Sequence, residues 1–358
     1  MLLPKSFLAC GIGSLPYLEP EAALKLIAAT MPHIPHWPQL PRRGHVEHFV
    51  HQSLAPLVRL GLIQEPEGGI AYFATEAPDW PEKLTAFYSL FLAAIEGEEA
   101  ALQEFAIPPE AGRGFYAFEE WLESQSFSQA LFLKGQVAGP LSAGLYVMDF
   151  SGHYAFYDPQ LRDLIVQTTA LQARWQAQTL GKFGLPVMIF VDDPALTSYG
   201  TSTHVALQRA DLVEALAGVA REIEKGGGIP GAHACSGVEW PILFEAGFRI
   251  ISFDAYNYFT SLQVFPREVD AFLAGGGILA WGLVPTYEQA WQETRESLTE
   301  RLAHYMEELV KRGVDRERLY RQALITPSCG TGVLDRALAE HIYHLTAEVA
   351  ARALYALS

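Results

Sequence analysis

Cysteine and charged residues are both scarce in this chain of 358 residues. Three cysteines are too few for a disulfide framework, so we expect reduced thiols that remain available to a metal. No apolar run reaches the roughly 20 residues that a membrane-spanning helix needs, and the N-terminal residues lead into a strand pattern instead of a signal-peptide cleavage site. We therefore expect a cytoplasmic protein without a membrane segment.

Positive charge is also in short supply. The chain has 25 lysines and arginines against 41 aspartates and glutamates, which gives a formal net charge of −16. This charge repels nucleic-acid phosphates and anionic lipid headgroups, so neither is expected as a partner. Charged residues make up 18% of the chain and apolar residues 50%. That balance indicates a globular protein with a large core and excludes a disordered or fibrous one.

Short apolar segments alternate along the chain with longer stretches of helical periodicity, among them Pro20–Thr30, Pro159–Phe183 and Pro266–Ala274. Eight such units predict the α/β class and, within it, a (β/α)₈ TIM barrel, because parallel barrel strands are buried on both faces and read as continuous apolar runs. The predicted strands are Phe7–Ile12, His33–Gln39, Ala130–Val137, Pro186–Val191, Ile229–His233, Phe248–Phe253, Gly277–Leu283 and Gln322–Thr326.

The stretch from Gly61 to Phe118 does not fit a single unit. Its segment from Glu67 to Phe73 is typical of a hairpin, so we interpret the stretch as an insertion after the second strand. No fixed-period repeat and no linker is visible elsewhere. Residues 1–358 are therefore expected to form a single TIM-barrel domain.

Polar or otherwise unusual residues lie at, or just after, the C-terminal ends of the predicted strands, where barrels of this kind carry their chemistry. In chain order they are Ser14, Gln39, Gly139 with Pro140, Asp192, His233 with Cys235, Asp254, Trp281 and Cys329. Because these ends meet at one face of a barrel, the residues are predicted to form one site.

Four of these residues have the character of zinc ligands. The imidazole of His233 and the thiolates of Cys235 and Cys329 suit Zn²⁺, and the carboxylate of Asp254 can complete a fourth position that a substrate displaces. The alternative is that both cysteines are small buried apolar residues and that His233 is a hydrogen-bonded core histidine. A further group, His45, His48 and His51, has the spacing of a second metal site or of ordinary histidines on an exposed helix.

Seven segments of the chain together match the pattern of a known family. The first is Ile12-Gly-Ser-Leu-Pro and the last is Thr326-Pro-Ser-Cys-Gly. Between them lie Gly44-His-Val-Glu-His-Phe-Val, Val137-Ala-Gly-Pro-Leu-Ser, Val191-Asp-Asp-Pro-Ala-Leu, His233-Ala-Cys and the strand that ends at Asp254. In the same order, these segments resemble the catalytic C-terminal half of cobalamin-independent methionine synthase, in the superfamily of barrels that includes uroporphyrinogen decarboxylase and zinc methyltransferases.

The resemblance implies zinc on His233, Cys235 and Cys329, with Asp254 where the family has a glutamate ligand that is one methylene longer. It also implies that Ile12, Gly13, Ser14 and Asp192 hold a homocysteine-like thiol, and we interpret Asp192 as catalytic as well. Gln39 stands where the family has a glutamate that contacts the ammonium group of the acceptor.

Other positions depart from the family. Tyr146 stands where a tryptophan lies near the folate, Ser198 where a glutamate binds the pterin, and the strand around Leu283 lacks the histidine that donates a proton. The sequence hypothesis is thus a zinc-dependent thiol methyltransferase whose donor is methylcobalamin on a corrinoid protein instead of folate. Tyr146 and Trp281 are candidates for the substrate site; Trp281 could equally fill the barrel end.

Three alternatives stay open at this point. One is a folate-dependent methionine synthase. Another is a metal-free decarboxylase that resembles uroporphyrinogen decarboxylase, for which Arg42 and Arg43 would supply the basic groups near an early strand end. The third is a corrinoid- or ligand-handling protein that binds zinc without catalysing methyl transfer.

Overall fold

The computed structural model describes residues 3–66, 69–124 and 128–357. Nine strands are found in this part of the chain. They are β1 (Leu8–Ala9), β2 (Ile63–Gln64), β3 (Tyr72–Phe73), β4 (Leu133–Ala138), β5 (Val187–Asp192), β6 (Ile229–Ala234), β7 (Ile250–Phe253), β8 (Ile278–Val284) and β9 (Ala323–Pro327).

Helices occupy most of the connections between these strands. The α-helices are α1 (Pro20–Thr30), α2 (Phe49–Arg59), α3 (Trp80–Ile95), α4 (Glu99–Gln103), α5 (Arg113–Glu123), α6 (Pro140–Tyr146), α7 (Pro159–Gly181), α8 (Arg209–Lys225), α9 (Pro241–Glu245), α10 (Ala255–Gln263), α11 (Pro266–Ala274), α12 (Arg295–Lys311), α13 (Arg316–Arg321) and α14 (Arg336–Leu357). Short 3₁₀ helices cover Pro41–Arg43, His45–Glu47, Ala155–Tyr157, Pro194–Ser198, Ser202–His204 and Glu288–Gln292. None of the described helices has the length and apolar character that crossing a bilayer requires.

Seven strands form one parallel sheet in the order β1-β9-β8-β7-β6-β5-β4. Each connection between consecutive strands of this sheet contains at least one helix, as parallel pairing requires. Strands β4, β8 and β9 are buried along their whole length, because helices cover one face of the sheet and the curled sheet encloses the other. The predicted α/β class is confirmed.

The prediction of a regular second strand over His33–Gln39 is wrong. Its prolines at 35 and 38 have no N–H group, so a continuous ladder cannot form. The segment instead makes isolated parallel bridges to the two edges of the sheet, Ser14 with Gln39 and His36 with Lys134. Backbone N–H groups on both sides complete the link, from Gln39 to the Gly13 oxygen at 3.1 Å and from Lys134 to the Pro35 oxygen at 3.0 Å.

The stretch after Gly61 contains an antiparallel hairpin, in which Ile63 of β2 pairs with Phe73 of β3. Glu67 and Gly68, which begin the predicted hairpin segment, lie outside the described residues. Helices α3, α4 and α5 follow, and Trp80 at the start of α3 packs edge-on against Phe73 at a ring distance of 6.3 Å. The hairpin and the first of these helices therefore share an apolar contact.

Several helices begin at side chains that satisfy their first N–H groups. Asp158 accepts from the Gln160 and Leu161 nitrogens at 2.8 and 3.0 Å, and Pro159 then occupies the first position of α7. Asp193, which directly follows β5, caps α6, the helix that follows the neighbouring strand β4. Its carboxylate accepts hydrogen bonds from the Leu141 and Ser142 nitrogens. This cap fixes the helix that follows β4 against the end of β5.

The two faces of the curled sheet carry different side chains. The enclosed face is apolar at the N-terminal ends of the strands, where Leu8, Met188 and Phe190 belong to one small core. The outer face packs under the helices as part of a much larger core. Toward the C-terminal ends, the enclosed face turns polar, and the candidate site lies there.

Candidate metal centre

Strand register places three polar side chains at one level of the enclosed face. Asp192 of β5 pairs with His233 of β6, and His233 pairs with Ser252 of β7. Residues that are register partners in a parallel sheet point to the same face. All three are therefore expected to face the interior, and a contact between His233 and Ser252 supports this.

His233 is oriented by that contact. Its Nδ1 lies 2.9 Å from the Ser252 hydroxyl oxygen, and the residue is only 4% exposed. Its Nε2 is buried without a hydrogen-bond partner. A histidine whose one nitrogen is held by a neighbouring group while the other is free has the arrangement of a metal ligand.

Two cysteines meet at this imidazole. Cys235 lies one residue past β6 and Cys329 two residues past β9, and one ligand atom from each, with one ring nitrogen of His233, lies within 4.8 Å of the others. Contact with Cys329, and then with His233, lowers the pKa of Cys235. Contact with Cys235, followed by burial, raises the pKa of Cys329. The pair thus already favours a thiolate, and two sulfurs with one free imidazole nitrogen suit Zn²⁺.

Asp254 occupies a different place. It precedes α10 as its N-cap, with Oδ1 accepting from the Asn257 backbone nitrogen at 2.9 Å and Oδ2 from the Asn257 side-chain amide at 2.8 Å. Its ligand atoms are not part of the three-residue cluster. Burial raises its pKa, while the Asn257 contacts and the nearby His233 lower it. The structure brings Asp254 near the cluster, but with both oxygens already engaged.

The cluster opens into a cavity of about 260 Å³. Asp192 lines the same cavity; its Oδ1 is buried without a hydrogen-bond partner. Burial raises the pKa of Asp192 to about 6, against the attraction of Lys134 and His233. The lining residues are Ile12, Ser14, Gln39, Pro41, His48, Phe49, Gln136, Asp192, Pro194, His233, Cys235, Cys329, Gly330, Gly332 and Val333.

The predicted acceptor-binding segment lies across the cavity from β6. Ser14 holds the loop after β9, because its oxygen accepts from the Thr331 nitrogen at 3.1 Å and its hydroxyl accepts from the Gly332 nitrogen at 3.2 Å. Gly13 has φ +147°, and a Cβ there would lie 2.7 Å from the Gln136 side chain. Only glycine allows this close approach of the backbone to β4.

Gln39 is 4% exposed and donates its amide to the Glu47 backbone oxygen. Its side-chain nitrogen is thus held toward the segment that precedes α2. The cavity is thus lined both by Ile12, Ser14 and Gln39 and by the cluster of His233, Cys235 and Cys329.

Two predicted substrate residues lie elsewhere. Trp281 is fully buried on the outer face of β8, 5.2 Å from the Phe253 ring and 6.3 Å from the Phe259 ring, so it packs under α10 instead of facing the cavity. Tyr146 stacks on His48 with ring centres 5.5 Å apart and thus supports the cavity wall from behind. Ser198 ends the 3₁₀ helix after β5, and its oxygen accepts from the Thr201 hydroxyl at 2.7 Å.

Sequence reasoning missed Lys134 and Gln136 on β4. Lys134 is fully buried, donates to the Ile12 oxygen and to the Gln136 side-chain oxygen at 3.0 Å, and lies 4.8 Å from the centre of the Phe190 ring. Burial lowers its pKa, and the charge of Asp192 opposes this shift. A lysine two residues from a glutamine within an otherwise apolar strand was the available signal, since both positions face the interior.

No protein-family model matches the chain, and no curated protein matches it. Among solved structures, the chain is similar to a B12-independent methionine synthase from Shewanella sp. W3-18-1 in complex with selenomethionine. The superposition has a TM-score of 0.47 and 16% sequence identity, and it covers 66% of this chain and 66% of that chain. The chain thus spans just under two thirds of the length of that protein. The chemistry of the site is therefore argued from the residues of this chain.

Proposed function

We propose that this protein is a zinc-dependent methyltransferase that methylates a small, homocysteine-like thiol. The observation that carries the proposal is the cluster of His233, Cys235 and Cys329, whose ligand atoms lie within 4.8 Å of one another at the wall of a small cavity. The Nε2 of His233, buried without a hydrogen-bond partner, supports it, because most buried side-chain polar atoms in proteins have one. Bound by these three residues, Zn²⁺ would supply the Lewis acidity that lowers the pKa of the acceptor thiol.

The other residues of the cavity bind and orient the acceptor. Asp192 presents a buried, unpartnered carboxylate oxygen, which suits the ammonium group of an amino-acid thiol. The backbone of the segment from Ile12 to Ser14 and the amide of Gln39 supply neutral contacts on the opposite wall. Burial raises the pKa of Asp192, and the charge of the buried Lys134 opposes this rise and so favours the ionised carboxylate.

For the donor we propose methylcobalamin carried by a separate corrinoid protein. In this step the acceptor sulfur forms a bond to the methyl carbon, the cobalt–carbon bond breaks with its electron pair remaining on cobalt, and the thiol proton leaves to solvent. The corrinoid leaving group needs no proton from the protein, which agrees with the missing histidine near Leu283. Tyr146 and Ser198, at positions that serve folate in the family, make contacts within the protein. With homocysteine as acceptor, the product is methionine, and we place the reaction in the cytoplasm.

The decarboxylase alternative finds less support. Its basic residues, Arg42 and Arg43, are exposed and hydrogen-bond to backbone oxygens of other segments. Arg42 donates to the Leu334 oxygen at 2.8 Å and Arg43 to the Leu18 oxygen at 2.6 Å. Arg43 also pairs with Glu47 at 2.9 Å. These engaged groups do not offer the cluster of free guanidinium groups that several substrate carboxylates require.

We also propose that the segment 33–39 occupies the position of the second strand in an eight-stranded (β/α)₈ barrel. Residues 61–118 would then be an insertion after this strand, and residues 1–358 would form a single domain. The bridges from Gln39 to Ser14 and from His36 to Lys134 support this reading. Closing the gap between β1 and β4 in this way would bring Ser14 and Gln136 into the same cavity wall, where both are found.

The test of the function is a methyl-transfer assay on protein loaded with zinc under reducing, anaerobic conditions. Methylcobalamin and methyl-folate are each paired with homocysteine and with thiols that lack an amino group. We expect about one tightly bound zinc per chain at this site and transfer from methylcobalamin. Protein that neither binds zinc nor methylates any thiol would contradict the proposal, and transfer from methyl-folate alone would overturn the choice of donor.

We propose that Asp254 is the fourth, displaceable ligand. Its Oδ1 bond to the Asn257 nitrogen caps α10, whereas the Oδ2 bond to the Asn257 side chain can be released. Asp254→Asn is expected to lower zinc affinity by about 10-fold, since one weak ligand is lost, while the melting temperature stays unchanged because asparagine caps a helix equally well. Competition with a zinc chelator and a thermal melt measure the two effects. Unchanged zinc affinity would leave Asp254 as a helix cap only.

A further inference from the structure

A second group of possible ligands lies outside the catalytic cluster. His45, His51 and Glu65 each offer one ligand atom, and these atoms lie within 4.8 Å of one another. The rings of His45 and His51 have centres 4.6 Å apart, and Nδ1 of His51 lies 2.7 Å from Oε1 of Glu65. Two imidazoles and one carboxylate have thus converged on one point.

The three residues come from three separate elements. His45 begins a 3₁₀ helix, His51 lies in the first turn of α2, and Glu65 directly follows β2. Helix periodicity alone does not bring Glu65 to the histidines; the fold of the chain between α2 and β3 does. The histidine spacing in the sequence therefore pointed to His45 and His51 but not to Glu65.

The cluster has a buried end and an open end. His51 is 9% exposed, and its Nδ1 is buried with the Oε1 of Glu65 2.7 Å away. The Glu65 side chain is 26% exposed, and His45 is exposed. An ion can therefore reach the group from solvent and find a buried imidazole that a carboxylate already faces.

We propose that His45, His51 and Glu65 form a second metal site, which binds a divalent transition ion of the zinc type. Two histidines and one carboxylate are a ligand set of zinc sites and of related first-row metals. Ligand atoms about 2.1 Å from a tetrahedral ion lie about 3.4 Å apart, so the 2.7 Å pair of His51 and Glu65 would open slightly on binding, and the separations within 4.8 Å need only small side-chain rotations.

The site adjoins the wall of the catalytic cavity. His48 lies between the two histidine ligands in the chain, lines the cavity and stacks on Tyr146. A bound ion would join the 3₁₀ helix, α2 and the segment after β2, and would thereby fix the position of His48. This role is independent of the ion at Cys235 and Cys329.

Titration of the full-length, metal-free protein with Co²⁺ tests the proposal. Ions bound by thiolates show sulfur-to-cobalt absorption in the near ultraviolet, whereas ions bound by two imidazoles and a carboxylate show only weak visible bands. We expect two equivalents, one with the sulfur band and one without it. In Cys235→Ala the second kind should persist, so a failure of the catalytic site and a failure of this site are distinguishable.

Three variants locate the second equivalent. His45→Ala and Glu65→Gln change exposed side chains, so both should fold, and each is expected to weaken the sulfur-free equivalent by at least about 10-fold. His153→Ala is the matched control, because His153 also pairs with a carboxylate, Asp149, at 3.1 Å but on the surface. Absence of a sulfur-free equivalent in the unchanged protein would overturn the proposal. Equal weakening in His153→Ala, or none in His45→Ala and Glu65→Gln, would overturn it as well.

Discussion

Cys235→Ala is expected to abolish zinc binding at the catalytic cluster and, with it, methyl transfer. The variant removes one of the two sulfurs and the thiolate that the structure favours, since contact with Cys329 lowers the pKa of Cys235. Loss of a supporting partner alone weakens metal sites by ~10–100-fold, so loss of a ligand should cost at least about 100-fold in affinity. The sulfur-to-cobalt absorption of the Co²⁺ form reports this site directly.

The chain supplies its own control in Cys10. This cysteine is fully buried in the small core of the enclosed face, and burial raises its pKa to about 11, so the thiol stays protonated. Cys10→Ala should retain the metal, the sulfur band and most of the activity. Retention of the band in Cys235→Ala, or its loss in Cys10→Ala, would contradict the assignment of ligands.

Local patterns were sufficient for most of the regular elements. Prolines that open helices and apolar runs that end in polar residues predicted α1 and α11 to the residue and gave all seven strands of the parallel sheet. His233 and Cys235 lie close together in the structure, as their spacing indicated, because both positions lie at the end of one strand. Features that involve only one strand and the residues directly after it could therefore be predicted from the sequence.

Other features depend on register and on long-range packing. The segment 33–39 has the apolar character of a strand, but its prolines break the ladder. Trp281 was predicted to face the site from a strand over Gly277–Leu283; β8 covers nearly the same residues, Ile278–Val284, but in its register Trp281 faces the helices. A change of one position in a strand moves a side chain to the opposite face, and the run Leu279–Val284 gives no polar alternation that would reveal the phase.

Lys134 and Glu65 show a second limit. A buried lysine reads as an error in a strand until the opposing carboxylate of Asp192 is known. Glu65 joins His45 and His51 only because the hairpin returns to α2. In both cases the partner lies far away in the sequence, and no local pattern connects the two.

Asp192→Asn is expected to leave the metal in place and to impair the acceptor selectively. The substitution keeps the size of the side chain and removes the charge that we assign to the acceptor's ammonium group. A hydrogen bond to a charged group contributes about 1.5–3 kcal/mol, so kcat/KM for homocysteine should fall by about 10- to 150-fold, mainly through KM. The sulfur band of the Co²⁺ form should not change.

The comparison of two acceptors separates binding from proton transfer at Asp192. A thiol of similar length that lacks the amino group does not use the charge, so its turnover should be the same in Asp192→Asn as in the unchanged protein. The carboxylate lies beside the cluster, with Oδ1 buried and unpartnered, and could in principle take the thiol proton instead. Equal losses for both acceptors would then show that Asp192 acts on the sulfur, and a selective loss for homocysteine that it holds the amino group.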